Sequence, residues 1–188
     1  SDLVQHISTL TGMLLDHLVQ KTETYPLTQE MRRTISMASV LHDIGKMEIG
    51  EQVLNSPEPR TPEDEEIMRQ HTLLGARMLE ELDAYRDEDF VRVAYQICRW
   101  HHERYDGSGY PDQLVGEQIP IAAQVVGLAD AYETLTTGSG SQPPVPCAAA
   151  VQMLCTGEAG AFNPVLLDCL REIENEIDDA MRRRPETL

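Results

Sequence analysis

Residues 99–112 read RWHHERYDGSGYPD, with two adjacent histidines followed by a loop that contains glycine and proline. Apolar residues recur at helical spacing before the pair, whereas glycine and proline after it disfavour a helix. The stretch therefore predicts a helix over 87–102 that ends in His101 and His102, and a long loop over 103–119. Neither helix packing nor loop flexibility requires two adjacent imidazoles, so the pair is a candidate functional site.

Helical spacing of apolar residues continues on both sides of this stretch, and no segment alternates long enough to predict a strand. Thr61 followed by Pro62 and four acidic residues is a helix start signal, and Gly45 is a helix stop signal. Loops are expected over 47–60 and 138–145. Six further helices are predicted over residues 2–20, 28–43, 62–82, 120–137, 146–156 and 163–183. The sequence thus predicts an all-α bundle of about seven helices that forms a single domain over 1–188.

The composition is that of an ordinary globular protein, with 188 residues, 41% of them hydrophobic and 25% charged. No apolar run approaches the roughly 20 residues that a membrane span requires, and no secretory signal pattern opens the sequence. The cysteines form no C-x-x-C pair and are expected to be buried thiols, with a Cys155–Cys169 disulfide as the alternative. They are Cys98, Cys147, Cys155 and Cys169. We therefore expect a cytoplasmic protein.

The formal net charge of −17 disfavours DNA, RNA and anionic membranes as partners, because a strongly acidic surface repels them. An anionic substrate would need a local positive charge in its binding site. Bound metal ions are the usual source of such a charge.

Histidines and aspartates supply a candidate metal site. A single histidine on a helix is more often structural than a ligand, but here five histidines and two aspartates fall on different predicted helices. They are His6, His42, Asp43, His71, His101, His102 and Asp130. Imidazole and carboxylate suit iron, manganese, zinc, nickel or cobalt, and the lack of thiolates disfavours a purely structural zinc site. Since seven donors exceed what one catalytic ion needs, we expect at least two ions that share Asp43.

Four motifs together resemble the HD-GYP family of bacterial phosphodiesterases, a branch of the HD phosphohydrolases. They are LHDIGK at 41–46, HTLLGARML at 71–79, HHERYDGSGYP at 101–111 and LADAYETLT at 128–136. The resemblance covers about residues 2–170. It implies an HD-type helical bundle with an extended GYP loop, in a bacterial enzyme that hydrolyses cyclic di-GMP to the linear dinucleotide pGpG and in some members onward to GMP.

The resemblance also implies roles for single residues. The seven donors named above would bind two or three divalent transition metal ions, iron or manganese being favoured, with Asp43 as the bridging catalytic ligand. Lys46 would be catalytic and contact the scissile phosphate, where a fixed positive charge stabilises a developing oxyanion. Asp2, one helical turn before His6, is a candidate ligand for a third ion. His17 matches no family ligand and is predicted to be structural.

The GYP loop, with Gly109, Tyr110 and Pro111, is expected to line the substrate site and to offer a docking surface for protein partners. Family members also carry an Arg-Pro-Tyr-Arg/Lys segment that holds the substrate phosphates. This chain has TGSGSQPPVP at 137–146 instead, with Ser139 and Gln142 at the nearest positions. Phosphate contacts are therefore expected to be fewer.

Two alternatives to an active cyclic dinucleotide phosphodiesterase stay open. One is a weakly active or inactive domain that acts as a binding module through the GYP loop, and the other is a general HD nucleotide phosphohydrolase. Arg99 and Arg104 beside the histidine pair are candidates for a positive charge that attracts the substrate, but we expect them to be solvated charges at a helix end. The chain is interpreted as an output domain separated from an upstream sensor or receiver domain, and a dimer is one candidate for its oligomeric state.

Overall fold

The structure is a computed structural model that describes residues 2–85 and 88–183, except for the side chains of residues 2–5 and 83. Its α-helices are α1 (Asp2–Lys21), α2 (Gln29–Ala38), α3 (Glu51–Leu54), α4 (Pro62–Arg69), α5 (His71–Glu80), α6 (Asp89–Trp100), α7 (Ile121–Thr137), α8 (Cys147–Thr156), α9 (Pro164–Glu172) and α10 (Glu174–Arg182). Within the described ranges no named strand occurs, and the predicted all-α class is confirmed.

All seven predicted helices are present, but two of them are divided. The helix predicted over 62–82 breaks at Gln70 into α4 and α5, and the helix predicted over 163–183 breaks at Ile173 into α9 and α10. At Gln70 the backbone N–H bonds to the carbonyl three residues earlier, which tightens the turn. The predicted loop over 47–60 also contains the single-turn helix α3.

The second predicted helix ends earlier than the sequence suggested. It runs to Ala38 rather than to residue 43, and the chain continues as 3-10 helices over 39–41 and 44–48. The N–H of His42 bonds to the carbonyl of Ser39, and the N–H of Lys46 bonds to that of Asp43, both three residues back. This tighter winding places the His-Asp pair in a turn between two short helices.

The core lies around α1 and α7. Ile7, Leu10, Leu14 and Leu18 form the buried face of α1, while α7 is buried along most of its length from residue 122 to 132. Helix α1 packs against α2, α7 and α9, and α6 packs against α2, α5 and α7. No helix in the described ranges combines the length and the apolar character that crossing a lipid bilayer requires.

The four cysteines are free thiols, with Cys98 and Cys169 buried and Cys147 and Cys155 half-buried. The alternative of a Cys155–Cys169 disulfide is therefore wrong for this structure. Cys98 instead donates a hydrogen bond from its Sγ to the carbonyl of Leu41, 3.1 Å away, next to the His-Asp turn.

Candidate metal centre

Six of the predicted ligands meet at one place in the bundle. They form two groups, one of Asp43, His71, His101 and His102 and the other of His42, Asp43 and Asp130. Within each group the candidate ligand atoms all lie within 4.8 Å of one another. Asp43 belongs to both groups, so a single carboxylate connects them.

The Asp43 carboxylate is the geometric centre of the cluster. Its Oδ1 lies 3.2 Å from Nε2 of His71 and 3.5 Å from Nε2 of His101. Its Oδ2 lies 3.3 Å from Nε2 of His42, and the same nitrogen lies 3.4 Å from Oδ1 of Asp130. The two oxygens of one side chain therefore face two separate sets of donors.

Three of the imidazoles are oriented by the backbone of their own turn. In each, Nδ1 donates to a carbonyl oxygen three or four residues earlier. The pairs are His42 with Ser39 at 2.8 Å, His71 with Met68 at 2.7 Å and His101 with Ile97 at 2.8 Å. Because a carbonyl only accepts, Nδ1 carries a proton in each ring, and Nε2 is the nitrogen that can present a lone pair to the cluster when the ring is neutral. Metal-binding histidines are commonly oriented in this way.

Several atoms at the centre have no hydrogen-bond partner within the described residues. Oδ1 of Asp43 and the Nε2 atoms of His71 and His101 are buried and accept or donate no hydrogen bond there. Buried polar atoms without a partner are costly, and lone pairs that face one another repel. A divalent cation between them would satisfy all three atoms. The donor set of imidazole nitrogens and carboxylate oxygens thus fits a transition metal ion.

The electrostatics of the cluster favour a positive charge. Burial opposes the charged form of His42, but hydrogen bonds with Asp130 and Asp43 outweigh it and raise its pKa to about 10. Burial would raise the pKa of both carboxyl groups, yet contacts with the surrounding imidazoles hold the pKa of Asp43 and of Asp130 below the usual range. Burial lowers the pKa of His101. The ionised carboxylates and the neutral His101 are in the protonation states that metal binding requires, whereas His42 must lose a proton to become a ligand.

Gly45 brings the His-Asp turn onto α5. A Cβ at this position would lie 1.9 Å from the carbonyl oxygen of His71 and 2.6 Å from the backbone nitrogen of Gly75. Only glycine permits such a backbone contact. The close approach carries Asp43 to the first turn of α5, where it meets His71.

Lys46 lies at the rim of the cluster. Its ammonium group donates to Oδ2 of Asp43 at 2.8 Å, and its side chain is 42% exposed. The ammonium is thus next to the shared carboxylate and open to solvent. Its predicted contact with a substrate phosphate stays a prediction.

His6 and Asp2 are the two predicted ligands outside these donor groups. His6 is in neither donor group among the described residues, and it lines a neighbouring cleft with Glu133. Its role as a ligand stays a prediction, and the side chain of Asp2 lies outside the described residues. His17 contacts Glu172 at 2.6 Å between α1 and α9, as expected of a structural histidine.

Glu133 is a residue that the sequence analysis missed. It lines the cleft of about 330 Å³ that contains His42, Asp43 and Asp130, and it also lines the neighbouring cleft of His6. Burial, assisted by the charge of Asp130, raises its pKa to about 7. The sequence signal that could have identified Glu133 is its position three residues after Asp130, on the same face of the helix.

The GYP loop folds back onto the histidine pair. The ring of Tyr110 stacks on that of His102, with centroids 4.9 Å apart and planes inclined by 12°. Gly109 is buried, and the Tyr110–Pro111 peptide bond is cis. Contact of these residues with substrate or protein partners stays a prediction.

The arginines beside the pair are not solvated charges, and that expectation is wrong. Arg99 donates to both carboxylate oxygens of Asp112, at 2.8 and 3.1 Å. Arg104 donates to the carbonyl of His101 at 3.3 Å and lies over the ring of Phe162, 4.9 Å from its centroid. Both side chains hold the GYP loop and its surroundings together.

Comparison with known proteins places this fold and site in a family. The HD domain family matches residues 3–165. A cyclic di-GMP phosphodiesterase of Thermotoga maritima is 34% identical over 149 residues, which are 79% of this chain and 39% of the relative. A cyclic di-GMP phosphodiesterase response regulator of Xanthomonas campestris pv. campestris is 34% identical over 90% of this chain and 42% of its own length.

A solved structure agrees with the fold. An HDG"Y"P protein from Bdellovibrio bacteriovorus superposes with a TM-score of 0.65 at 23% identity, over 92% of this chain and 52% of that one. This chain spans about two fifths of the length of the two curated relatives. Given the family match and its LHDIGK and HHERYDGSGYP motifs, the chain belongs to the HD domain family, in the HD-GYP branch.

Proposed function

We propose that this chain is a metal-dependent phosphodiesterase that hydrolyses a cyclic dinucleotide, with cyclic di-GMP as the first candidate and linear pGpG, then GMP, as products. The observation that carries the proposal is the pair of donor groups that share Asp43. Two ions that share one carboxylate would suit the displacement at a phosphodiester, which has an attacking and a leaving oxygen to stabilise. The two relatives described above are cyclic di-GMP phosphodiesterases, which supports the same substrate class.

Two ions are proposed, one held by Asp43, His71, His101 and His102 and the other by His42, Asp43 and Asp130. Iron or manganese is favoured, while zinc, nickel and cobalt also suit these ligands. When bound, such ions supply a Lewis acid that polarises the phosphoryl oxygens and lowers the pKa of water. A third ion near His6 and Asp2 is part of the proposal, as is the assignment of His6 as a ligand.

The residues of the chain supply orientation and charge. The backbone carbonyls that accept from Nδ1 of His42, His71 and His101 keep these rings in place without substrate. Rigid ligands lower the reorganisation needed during reaction. Lys46 is proposed to move its ammonium from Asp43 to a non-bridging phosphate oxygen when substrate binds. Its exposed position at the rim supports that role.

The segment that replaces the family's cationic motif supports a lower substrate affinity. Ser139 and Gln142 pair with each other through two backbone hydrogen bonds of 2.8 and 3.0 Å, which close a small uncharged turn. The hydroxyl of Ser141 in this turn donates to Glu58 at 3.2 Å, and Glu58 is also paired with Arg60 at 3.2 Å, so the charged residues beside the turn are paired with each other. A dianionic substrate would therefore depend mainly on Lys46 and the bound ions.

This uncharged turn also favours a second candidate function, in which the domain binds partners and turns over substrate weakly or not at all. A third candidate, a general nucleotide phosphohydrolase, differs in substrate. The test is incubation of manganese- or iron-loaded protein with cyclic di-GMP, cyclic di-AMP, the mixed cyclic dinucleotide and nucleoside mono- and triphosphates, with products separated by chromatography.

The proposal predicts linear dinucleotide from cyclic di-GMP, and it predicts that Asp43→Ala abolishes this product while the far-ultraviolet circular dichroism stays unchanged. Absence of product from loaded wild-type protein would favour the binding module. Turnover of nucleoside phosphates alone would favour the general phosphohydrolase. Wild-type turnover by metal-loaded Asp43→Ala would contradict the proposed site.

A further inference from the structure

His102 differs from the other three histidines of the cluster. Within the described residues, no hydrogen bond joins its imidazole to a carbonyl, whereas His42, His71 and His101 each have such a bond. Its ring is instead surrounded by other rings. Those of His101 and His71 lie 4.2 and 5.1 Å away, and that of Tyr110 is stacked on it.

Tyr110 is the partner whose geometry can define the plane of the His102 ring. The two planes are inclined by only 12°, with centroids 4.9 Å apart, which is an offset stack. The guanidinium of Arg69 also lies over the Tyr110 ring, 5.0 Å from its centroid. This contact is a cation–π interaction that joins the end of α4 to the GYP loop.

The backbone of the loop holds Tyr110 in this position. A Cβ at Gly109 would lie 2.4 Å from the carbonyl oxygen of His102, so the loop rests directly on the histidine pair. The N–H of Tyr110 donates to the same carbonyl at 3.3 Å. Glu103 is buried and accepts hydrogen bonds from the N–H groups of Asp112 at 2.6 Å and Leu114 at 3.0 Å. These bonds hold the second half of the loop in place.

We propose that Tyr110 is a positioning residue that orients the His102 imidazole for metal binding by stacking, and that Arg69 holds the Tyr110 ring in place. In this chain the stacked Tyr110 ring thus orients the His102 imidazole, as a backbone carbonyl orients each of the other three. The inference rests on the proposed metal centre. It concerns only the donor group of Asp43, His71, His101 and His102, because His102 is absent from the other group.

The test measures metal affinity, not turnover. Chelator-treated protein is titrated with Co²⁺, followed by its visible absorption and by competition with a chelating dye, in wild type, Tyr110→Leu, Tyr110→Phe and Arg69→Met. His42→Gln, which removes a ligand of the other group, isolates the His102 site in each background.

Tyr110→Leu should weaken the His102 site about tenfold or more, the usual effect of losing a partner that orients a ligand, and leave the other site within about twofold. Tyr110→Phe keeps the stacked ring and should bind like wild type. Arg69→Met should weaken the same site by about two- to fivefold, as the loss of a cation–π contact predicts. Arg69→Met also tests the inference should Tyr110→Leu fail to fold.

The remaining outcomes each overturn either the metal centre or the positioning role. If wild-type protein binds no Co²⁺, the proposed metal centre fails, and the positioning role fails with it. If wild type binds two ions and Tyr110→Leu binds both equally well, only the positioning role is overturned. Equal weakening of both sites, or a Tyr110→Phe protein as weak as Tyr110→Leu, would overturn it as well, since neither follows from stacking on His102.

Discussion

Gly45→Ala tests whether the close contact between the His-Asp turn and α5 builds the site. The added Cβ would lie 1.9 Å from the His71 carbonyl oxygen, where ordinary contacts begin at 3.4 Å. The two backbones must therefore move roughly 1.5 Å apart, and no flexible side chain is there to absorb the shift. Overpacking of this kind costs typically 1–3 kcal/mol, and we expect about 3 kcal/mol because the clash is between backbone atoms.

For a chain of 188 residues, about 3 kcal/mol corresponds to a melting temperature lower by roughly 6–12 °C. Gly50→Ala is the matched control, since nothing lies within 4 Å of a Cβ there and its φ is −62°. It should melt within about 2 °C of wild type.

Calorimetry in the presence of a chelator measures the change in melting temperature without any contribution from bound metal. Co²⁺ titration of the same proteins should show weaker binding for Gly45→Ala, because the shift moves Asp43 away from His71. Equal melting temperatures for the two alanine variants would refute the reasoning, as would a destabilised Gly45→Ala protein with unchanged Co²⁺ affinity.

Three further predictions concern the core, the ligands and proton release. Leu128→Ala, which empties a fully buried position on α7, should lower the free energy of unfolding in urea by about 2–5 kcal/mol, and a loss below about 1 kcal/mol would contradict the central place of α7. His42→Gln and His71→Gln should each bind one ion fewer than wild type by elemental analysis, and loss of both ions in either variant would show that the sites are not separate. His42, with a pKa raised to about 10, is protonated in metal-free protein at pH 7, so metal binding must release that proton. Titration calorimetry in buffers of different ionisation enthalpy should therefore give different heats, and identical heats would contradict this protonation state.

The order of helices and the six side chains of the two donor groups were accessible from the sequence, because both depend on local chemistry. Thr61 caps α4 by accepting from the N–H of Asp64, as its position before Pro62 predicted. The all-α class followed from apolar spacing, and Asp130 was a candidate donor because it lies on a predicted helix other than those of the histidines.

The breaks in the helices were not accessible, because helical spacing continues across them. The apolar pattern over 62–82 does not change at Gln70. The break matters only for the packing of α5 against the His-Asp turn, which is a contact between distant parts of the chain. The same applies to the partners of the ligands. Arg69 reaches Tyr110 across 41 positions of the chain, and the cleft that His6 shares with Glu133 brings together residues 127 positions apart.

The most direct measurement is an anomalous difference map from crystals grown with Mn²⁺ and measured on both sides of the manganese absorption edge. The account predicts a peak beside each oxygen of Asp43, one near His71, His101 and His102 and the other near His42 and Asp130. Absence of any peak between these side chains in manganese-loaded crystals would contradict it.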